Sequence, residues 1–404
     1  MAEDLVQNVK SYGANGDGRR DDTRAIQSTI DACAAAGGGV VWFPVGRYKT
    51  TNPLLAHAGS IALVGTGYGS VLVPHGSFDT VVFRPDRPGK YIYGNRIVDL
   101  SFDESKKTGG RTLYAERVAE FAARRVTGTS GHNGLEFNAY NSIILADLRL
   151  TYYRGGAGSA YLRLTSESMP GDGGHVAWVR DCIFSTDQNR VSPGMKGVDI
   201  DGFIHTVNLS KVGIGWSGAE ALVARNSIAA GDTPKFITTN DLEIEFSQLE
   251  CIRLDVATKC SFASSMLHGS LTRDNVYIGT DCRNVDFTGG TSTGAWQSGI
   301  AVAGGDVSIS SMRFEENCQQ TNGPYPGILV GGTSNGVVVT GCRSGRSGGV
   351  KDSQRYGIQV DIGADNFCIV GNILTSNREG SLIIGPPLAD NRVWAHNATD
   401  DQKT

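Results

Sequence analysis

Apolar, strand-like segments recur along the second half of the chain at a nearly constant interval. Six of them are spaced by 24, 24, 28, 30 and 24 residues and begin at Ile252, Val276, Ile300, Ile328, Ile358 and Leu382. Four more continue the series toward the N-terminus, at Leu135, Leu162, Val198 and Leu222. A repeat of this length indicates stacked coils, each burying its apolar face against the next. The pattern predicts about ten coils, or a rod on the order of 50 Å at the usual strand spacing.

A second set of short strands lies between these segments, and each begins after a turn. Superposing the set places small or polar residues in one turn column: Asp147, Asp181, Lys211, Asp241, Ser265, Gly289, Ser311 and Gly341. The next position along the chain forms an inward apolar column: Leu148, Cys182, Val212, Leu242, Met266 and Met312. Asp241 is therefore interpreted first as a turn residue whose side chain bonds nearby backbone.

The N-terminal segment has a different pattern. Residues 8–12 predict a short strand, and a glycine-rich turn follows. A helix is then predicted, because Asp21, Asp22 and Thr23 offer capping oxygens and the run Gly37–Gly39 ends it. We expect this helix to cover one open end of the stack.

Three stretches here carry a family resemblance. They read Asn-Val-Lys-Ser-Tyr-Gly-Ala-Asn-Gly-Asp-Gly at 8–18, Asp-Asp-Thr-Arg-Ala-Ile-Gln at 21–27, and Ala-Gly-Gly-Gly-Val-Val-Trp-Phe-Pro-Val-Gly-Arg-Tyr at 36–48. Together they are similar to the N-terminal signature of the pectate lyase-like superfamily. The resemblance implies an all-β, single-stranded right-handed parallel β-helix with a short N-terminal capping α-helix. It also implies one domain over 1–404, with 1–50 forming the cap and first coil and 51–400 the stacked coils.

The resemblance leaves the reaction open. Polygalacturonases, mannuronan epimerases, inulin fructotransferases, exo-glucanases and phage tailspike depolymerases share the signature, and a fold hosts many sites. The sequence motifs of polygalacturonases and the Asp-Pro-His-Glu motif of mannuronan epimerases are absent. The C-terminal coils look most like those of phage, prophage and bacterial β-helix proteins. Similar tailspikes and β-helix enzymes are often trimers, so the resemblance implies a homotrimer.

Composition narrows the range of partners. The formal net charge is -4 and no basic stripe occurs, so neither nucleic acid nor a membrane is an expected partner. Eight cysteines occur without a Cys-x-x-Cys pair or a histidine cluster, which predicts free, buried thiols and no metal site. No organic cofactor is expected. The first residues, Met-Ala-Glu-Asp-Leu, have neither the basic nor the apolar segment typical of a secretory signal, so none is expected.

The run Asp-Leu-Glu-Ile-Glu-Phe at 241–246 carries the candidate chemistry. In a strand, Leu242, Ile244 and Phe246 would enter the core while the three acids share the outer face. Neighbouring carboxylates can raise one another's pKa, which suits acid/base catalysis on a glycoside. The predicted catalytic residues are therefore Glu243, Glu245 and Asp241. The alternative is a solvated strand face.

Residues on neighbouring coils are the predicted substrate contacts. Small residues and an indole lie on the coil before the two glutamates, and a histidine lies on the coil after them. Asp199 and Asp201 form a second acidic cluster, for which a solvated ion-pair ladder is the alternative. The predicted substrate-binding set is Trp216, His268, Arg313, Asp199, Asp201 and Trp296. Structural roles remain open for the lone histidine and for the tryptophans.

These observations favour an enzyme that cleaves or rearranges an oligo- or polysaccharide by carboxylate acid/base chemistry. Two alternatives stay open. One is a glycan-binding or tailspike structural protein without catalysis, and the other is a uronate polysaccharide lyase, for which Arg253 with Asp255 is the nearest match to a basic catalytic group.

Overall fold

The computed structural model describes residues 6–166, 173–227, 233–346, 352–385 and 391–400. The chain divides into two compact units, an N-terminal unit, Met1–Asn208, and a C-terminal unit, Leu209–Thr404. Each has the successive parallel strand pairings of a right-handed parallel β-helix, which confirms the predicted fold class. The prediction of a single domain over 1–404 stays a prediction.

The predicted N-terminal helix is present and covers Thr23–Ala35. Its apolar stripe is buried through Ile26, Ile30 and Cys33, and it packs against the first strands of the N-terminal unit. The capping differs in detail from the expectation. Asp21 accepts a hydrogen bond from the Thr23 amide at 3.0 Å, whereas Asp22 accepts bonds from the amides of the preceding glycine-rich turn.

Strands of the N-terminal unit form two sheets and a small pair. The first sheet contains Val6–Asn8, Asp17–Asp21, Gly39–Trp42, Gly46–Thr50, Ile61–Val64, Ser70–Pro74, Ile92–Tyr93, Arg96–Val98, Ser101–Asp103, Val118–Arg124, Thr127–Thr129, Asn141–Ala146, Arg149–Thr151 and Gly174–Ser185. The second contains Leu54–Ala56, Val81–Phe83, Arg111–Glu116, Asn133–Asn138, Ala160–Thr165 and Lys196–Asp201. Gly76–Ser77 pairs with Lys107–Gly109. Short 3-10 turns occur at Val9–Tyr12, Gly67–Gly69 and Gln188–Arg190.

Strands of the C-terminal unit follow the same plan. The division between the units falls within the strand Ile204–Ser217. The first sheet then contains Lys235–Ser247, Thr258–Ser270, Arg283–Thr293, Gly305–Ser310, Arg313–Glu315, Asn335–Thr340, Arg343–Ser344, Phe367–Val370, Ile373–Leu374, Arg392–Ala395 and Ala398–Thr399. The second contains Leu222–Arg225, Ile252–Leu254, Val276–Ile278, Ile300–Val302, Ile328–Val330, Tyr356–Val360 and Gly380–Ile384.

The prediction of about ten coils was too low. The second sheet has six described strands in the N-terminal unit and seven in the C-terminal unit. All ten predicted segments are present, and the three missed ones are Leu54–Ala56, Val81–Phe83 and Arg111–Glu116. The third of these reads Arg-Thr-Leu-Tyr-Ala-Glu and does not alternate apolar with polar residues.

The predicted turn column is confirmed, with one shift of register. Its members have a left-handed backbone, with Asp241 at a φ of 54° and Gly289 at 68°. On one coil the left-handed residue is Ser264, not Ser265. A slip of one residue exchanges the two faces of a strand, so Met266, predicted to point inward, is 51% exposed.

A fully buried ion pair lies inside the N-terminal unit. Lys107 donates to Glu104 at 3.1 Å, and neither side chain has any exposure. Lys107 also donates to the Thr80 hydroxyl and to the backbone carbonyl of Arg111. Glu104 in turn accepts from the hydroxyls of Thr80 and Thr112, at 2.9 and 2.5 Å. The pair is therefore enclosed in a satisfied hydrogen-bond network, the condition under which buried charges are tolerated.

The cysteines are free, as predicted. Seven are buried and Cys368 is half-buried, so the expectation of eight fully buried thiols holds for seven. Burial raises the pKa of Cys182 to about 12, which keeps that thiol protonated and unreactive.

Candidate functional site

The strand Lys235–Ser247 presents the predicted acids on its outer side. Leu242 and Ile244 are fully buried, while Glu243 and Glu245 between them are exposed. Within the part of the chain that the structure describes, neither glutamate has a hydrogen-bond or ion-pair partner, so both carboxylates are open to a ligand. Asp241 lies at the left-handed corner and accepts a 3.4 Å bond from the side chain of Asn240.

Two side chains of the next coil face these acids. In the parallel register Glu243 lies opposite Met266 and Glu245 opposite His268, at the usual spacing of about 4.8 Å between strands. The Nδ1 atom of His268 is 2.9 Å from the hydroxyl of Thr293, so one ring nitrogen is engaged and the other remains available. An acid and an imidazole are thereby held side by side on an open surface.

Phe246 was wrongly predicted to enter the core. Its backbone is left-handed, with a φ of 56°, so the alternation breaks there and Ser247 turns inward instead. The half-buried Phe246 ring stacks on Trp216, with ring centroids 4.3 Å apart and planes at 22°. His268 meets the edge of the same ring at 5.0 Å.

A glycine makes room for this stack. Gly269 has a φ of 78°, and a Cβ added to it would lie 2.7 Å from the Phe246 ring. Aromatic rings with a partly open face suit the apolar side of a sugar ring. We call the surface formed by Trp216, Glu243, Glu245, Phe246 and His268 the glutamate strip.

Two other predicted substrate residues lie on later coils of the C-terminal unit. Arg313 is in the same column as Glu243 but three coils further on, and it pairs with Glu315 at 3.5 Å. Trp296 is 41% exposed in the connection after the strand Arg283–Thr293. The structure therefore brings Trp216 and His268 to the two glutamates, but not Arg313.

The second acidic cluster, predicted to contact substrate, is also not the solvated ion-pair ladder of the alternative interpretation. Asp199 and Asp201 have no exposed surface. Arg163, on the adjacent strand, lies 3.8 Å from Asp199 and 3.5 Å from Asp201. The two carboxylates are paired with Arg163 and sealed from solvent, while the Arg163 side chain is 21% exposed. A polymer in solution has no access to these carboxylates in this conformation.

Sequence reasoning missed two further acids of the C-terminal unit. Burial raises the pKa of Glu250, although Arg253 pairs with it at 3.0 Å. Burial also raises the pKa of Asp274 to about 6, partly offset by the hydrogen bond from the Ser298 amide at 2.7 Å. Arg253 also binds Asp255 at 2.7 Å, so it is engaged on two sides. In the sequence each acid lies beside a turn without a second acid at strand spacing, so no pattern marks it.

Over the described ranges of the chain, no group of three or more His, Cys, Asp or Glu side chains lies close enough together to hold a metal ion. No helix in those ranges is long and apolar enough to cross a membrane. The groups that the glutamate strip offers for chemistry are carboxylates, an imidazole and aromatic rings.

Comparison with known proteins supports the same fold. Residues 6–97 match the family model for rhamnogalacturonase A/epimerase, pectate lyase-like. The predicted resemblance is confirmed over this segment. Mannuronan C5-epimerase AlgE5 of Azotobacter vinelandii is 43% identical over 139 residues, a match that covers 33% of this chain and 12% of that protein. The chain thus spans about an eighth of this relative.

Solved structures extend the likeness to almost the whole chain. The A-module of mannuronan C5-epimerase AlgE4 from A. vinelandii superposes with a TM-score of 0.57 at 19% identity, covering 97% of this chain and 99% of the module. The N-terminal fragment of gene product 12 from bacteriophage phi29 gives a TM-score of 0.65 at 15% identity, over 94% and 70% of the two chains. At these identities the likeness shows the β-helix fold alone.

Proposed function

We propose that this protein is a polysaccharide-active enzyme and that the glutamate strip is its catalytic surface. Its relatives support the substrate class, since the N-terminal segment is similar to named polysaccharide-modifying enzymes. The observation that carries the site is local. Two unpartnered glutamates, a histidine and a stacked aromatic pair meet on one open surface.

The two glutamates are suitably spaced for glycoside hydrolysis. Residues two apart on a strand lie roughly 6.5–7 Å apart at Cα and point to the same side. From this backbone spacing the carboxyl groups can reach the separation of about 6.5–9.5 Å that leaves room for a water molecule and gives inversion, or the separation of about 5–5.5 Å that gives retention. One glutamate would activate that water as general base, while the other, or the imidazole of His268, would protonate the leaving oxygen. The stack of Trp216 and Phe246 would hold a neighbouring sugar.

Accessibility favours this surface over the buried aspartates. A polysaccharide is a long chain, so its scissile bond must reach the catalytic groups from outside. Glu243 and Glu245 are exposed, whereas Asp199 and Asp201 have no exposed surface and are paired with Arg163. We therefore assign the aspartates to the stability of the N-terminal unit.

The reaction is tested by incubation with a panel of bacterial and plant polysaccharides. New reducing ends without ultraviolet absorbance from unsaturated uronates are expected for hydrolysis, and NMR of the first product reports inversion or retention. No new reducing end and no incorporation of solvent deuterium on any member of the panel, with binding retained, would contradict catalysis and support the non-catalytic glycan-binding or tailspike alternative.

Uronate modification is the second candidate, because the sequence match is to mannuronan C5-epimerases. In that case one glutamate or His268 would remove the proton next to the uronate carboxylate. The same incubation separates this case from hydrolysis. A lyase yields unsaturated ends, and an epimerase incorporates solvent deuterium at C5 without cleavage.

A further inference from the structure

A groove in the N-terminal unit is lined by residues that do not belong to the glutamate strip. Its volume is about 370 Å³, and it runs over the outer side of the strands Ser101–Asp103, Thr127–Thr129 and Arg149–Thr151. Volumes of this size fall within the range of small-molecule sites. The groove is concave and presents both polar and apolar surface, unlike the flat outer face of a solvated strand.

Hydroxyl groups line the floor of the groove in two columns. Parallel pairing places Ser101 beside Thr127 in one column, and Thr129 beside Thr151 in the other. Thr127 donates to the Ser101 hydroxyl at 2.7 Å, so its own oxygen can still accept a bond. Side-chain hydroxyls that both donate and accept are suited to the hydroxyls of a sugar.

One end of the groove is closed by a fixed ion pair. Arg47 binds Asp103 at 2.5 Å. Burial alone would raise the pKa of Asp103, but the bonds from Arg47 and Ser105 outweigh it and hold that pKa below its ordinary value. Asp103 therefore stays an ionised acceptor. Among the residues that the structure describes, Asp103 is the only carboxylate that lines the groove. Because it stays ionised, it is not a proton donor, and these residues are suited to binding and not to acid/base catalysis.

Arg149 supplies a second positive charge to the groove, in addition to that of Arg47. It lies beside Thr127 in the register, its side chain is exposed, and it has no acidic partner among the described residues. A guanidinium with free N–H groups binds a carboxylate through two parallel hydrogen bonds. Tyr68, 76% exposed, adds an aromatic ring to the same lining.

We infer that this groove binds an acidic stretch of polysaccharide, with a uronate carboxylate on Arg149, sugar hydroxyls on the Ser and Thr columns, and a sugar face on Tyr68. The groove would bind part of the polymer through residues other than those proposed to act on the reacting bond. The inference takes the polysaccharide ligand from the proposed function, but its residues are separate from the proposed catalytic glutamates.

Binding is tested by calorimetry with tetragalacturonate and with its methyl ester, which has the same sugars without the charge. The protein carries Glu243→Gln and Glu245→Gln, so that no turnover consumes the ligand. We expect the acid to bind more tightly than the ester, and Arg149→Gln to weaken binding of the acid about tenfold or more. Tyr68→Ala should weaken both ligands alike, because its contact does not depend on charge.

Arg180→Gln is the matched control, since Arg180 is an exposed arginine of the same unit that does not line the groove. It should bind the acid as the parent does. Equal affinity for acid and ester, or an Arg149 variant that binds like the Arg180 variant, would overturn the inference. If inorganic sulfate competes as well as the tetrasaccharide, the groove binds anions without recognising a sugar chain, which would also overturn the inference. Because binding is measured without turnover, a failure here leaves the proposed catalysis untouched, and the reverse also holds.

Discussion

Replacing Lys107 with Met removes one partner of the buried ion pair in the N-terminal unit. The change breaks three hydrogen bonds, to Glu104, to Thr80 and to the carbonyl of Arg111. It leaves the Glu104 carboxylate buried and uncompensated, although Thr80 and Thr112 still donate to it. Breaking a buried pair in this way costs about 3–5 kcal/mol.

The expected change in melting temperature follows from the size of the unit. Unfolding entropy is roughly 2.1 cal/mol/K per residue, which gives about 0.44 kcal/mol/K for a unit of residues 1–208. A loss of about 3–5 kcal/mol then lowers the melting temperature by about 7–11 °C if the unit unfolds by itself, and by about half of that if the whole chain unfolds together. Circular dichroism with a temperature ramp and with urea measures this shift.

Two further variants make the result specific. Lys106→Met changes the exposed neighbour and should shift stability by less than about 0.5 kcal/mol. The double variant Glu104→Gln with Lys107→Met keeps one acceptor oxygen for the threonine hydroxyls and removes the unpaired charge, so it should recover a large part of the loss. If Lys107→Met melts within about 1 °C of the parent, or if the double variant melts no higher than the single one, the reasoning about the buried pair is wrong.

Three other predictions concern pH, redox state and assembly. The folded pKa of Asp274, about 6, lies above its ordinary 3.8, so the ionised carboxyl costs stability at higher pH and none below both values. Asp274→Asn should therefore have a higher free energy of unfolding than the parent at neutral pH. The gain should be at most about 3 kcal/mol, and nearer about 1–2 kcal/mol because the residue is only half-buried. It should vanish near pH 4, and a constant difference at all pH values would contradict this. Thiol titration after denaturation should find all eight cysteines free, and a reproducible deficit without reductant would count against it. Light scattering should return three times 42.8 kDa if the proposed homotrimer forms, and a single 42.8 kDa species would refute it.

The fold was largely predictable because its signals are local and repeated. Left-handed corners favour Gly, Asp and Ser, so the turn column could be aligned across coils and fixed which residues, such as Leu242 and Ile244, point inward. The alignment of the turn column was ambiguous where two neighbouring residues suit a left-handed corner equally well, as at Ser264 and Ser265. That single slip reversed the placement of Met266.

The candidate site was predictable only in part. Glu243, Glu245 and His268 follow from alternation and register, and the structure places them together. Phe246 does not, because an aromatic residue at a left-handed corner is uncommon and gives no turn signal. The burial of Asp199 and Asp201 could also not be predicted, because strand alternation identifies an outer face but does not show what covers that face. The groove of Arg149 and Tyr68 combines residues about 80 positions apart, with no shared motif.

The central claim is tested most directly by comparing turnover of the Glu243→Gln, Glu245→Gln and Asp199→Asn variants on whichever polysaccharide the parent attacks. Glutamine keeps the size of the exposed side chain but cannot exchange a proton. Both glutamate variants should fold within roughly 1 kcal/mol of the parent, yet lose about 100-fold or more in turnover. Glu315→Gln, on a more distant coil, should cost much less. Folded Asp199→Asn protein should keep its turnover. If the glutamate variants turn over at near-parental rates while folded Asp199→Asn protein is inactive, the catalytic surface is not the glutamate strip.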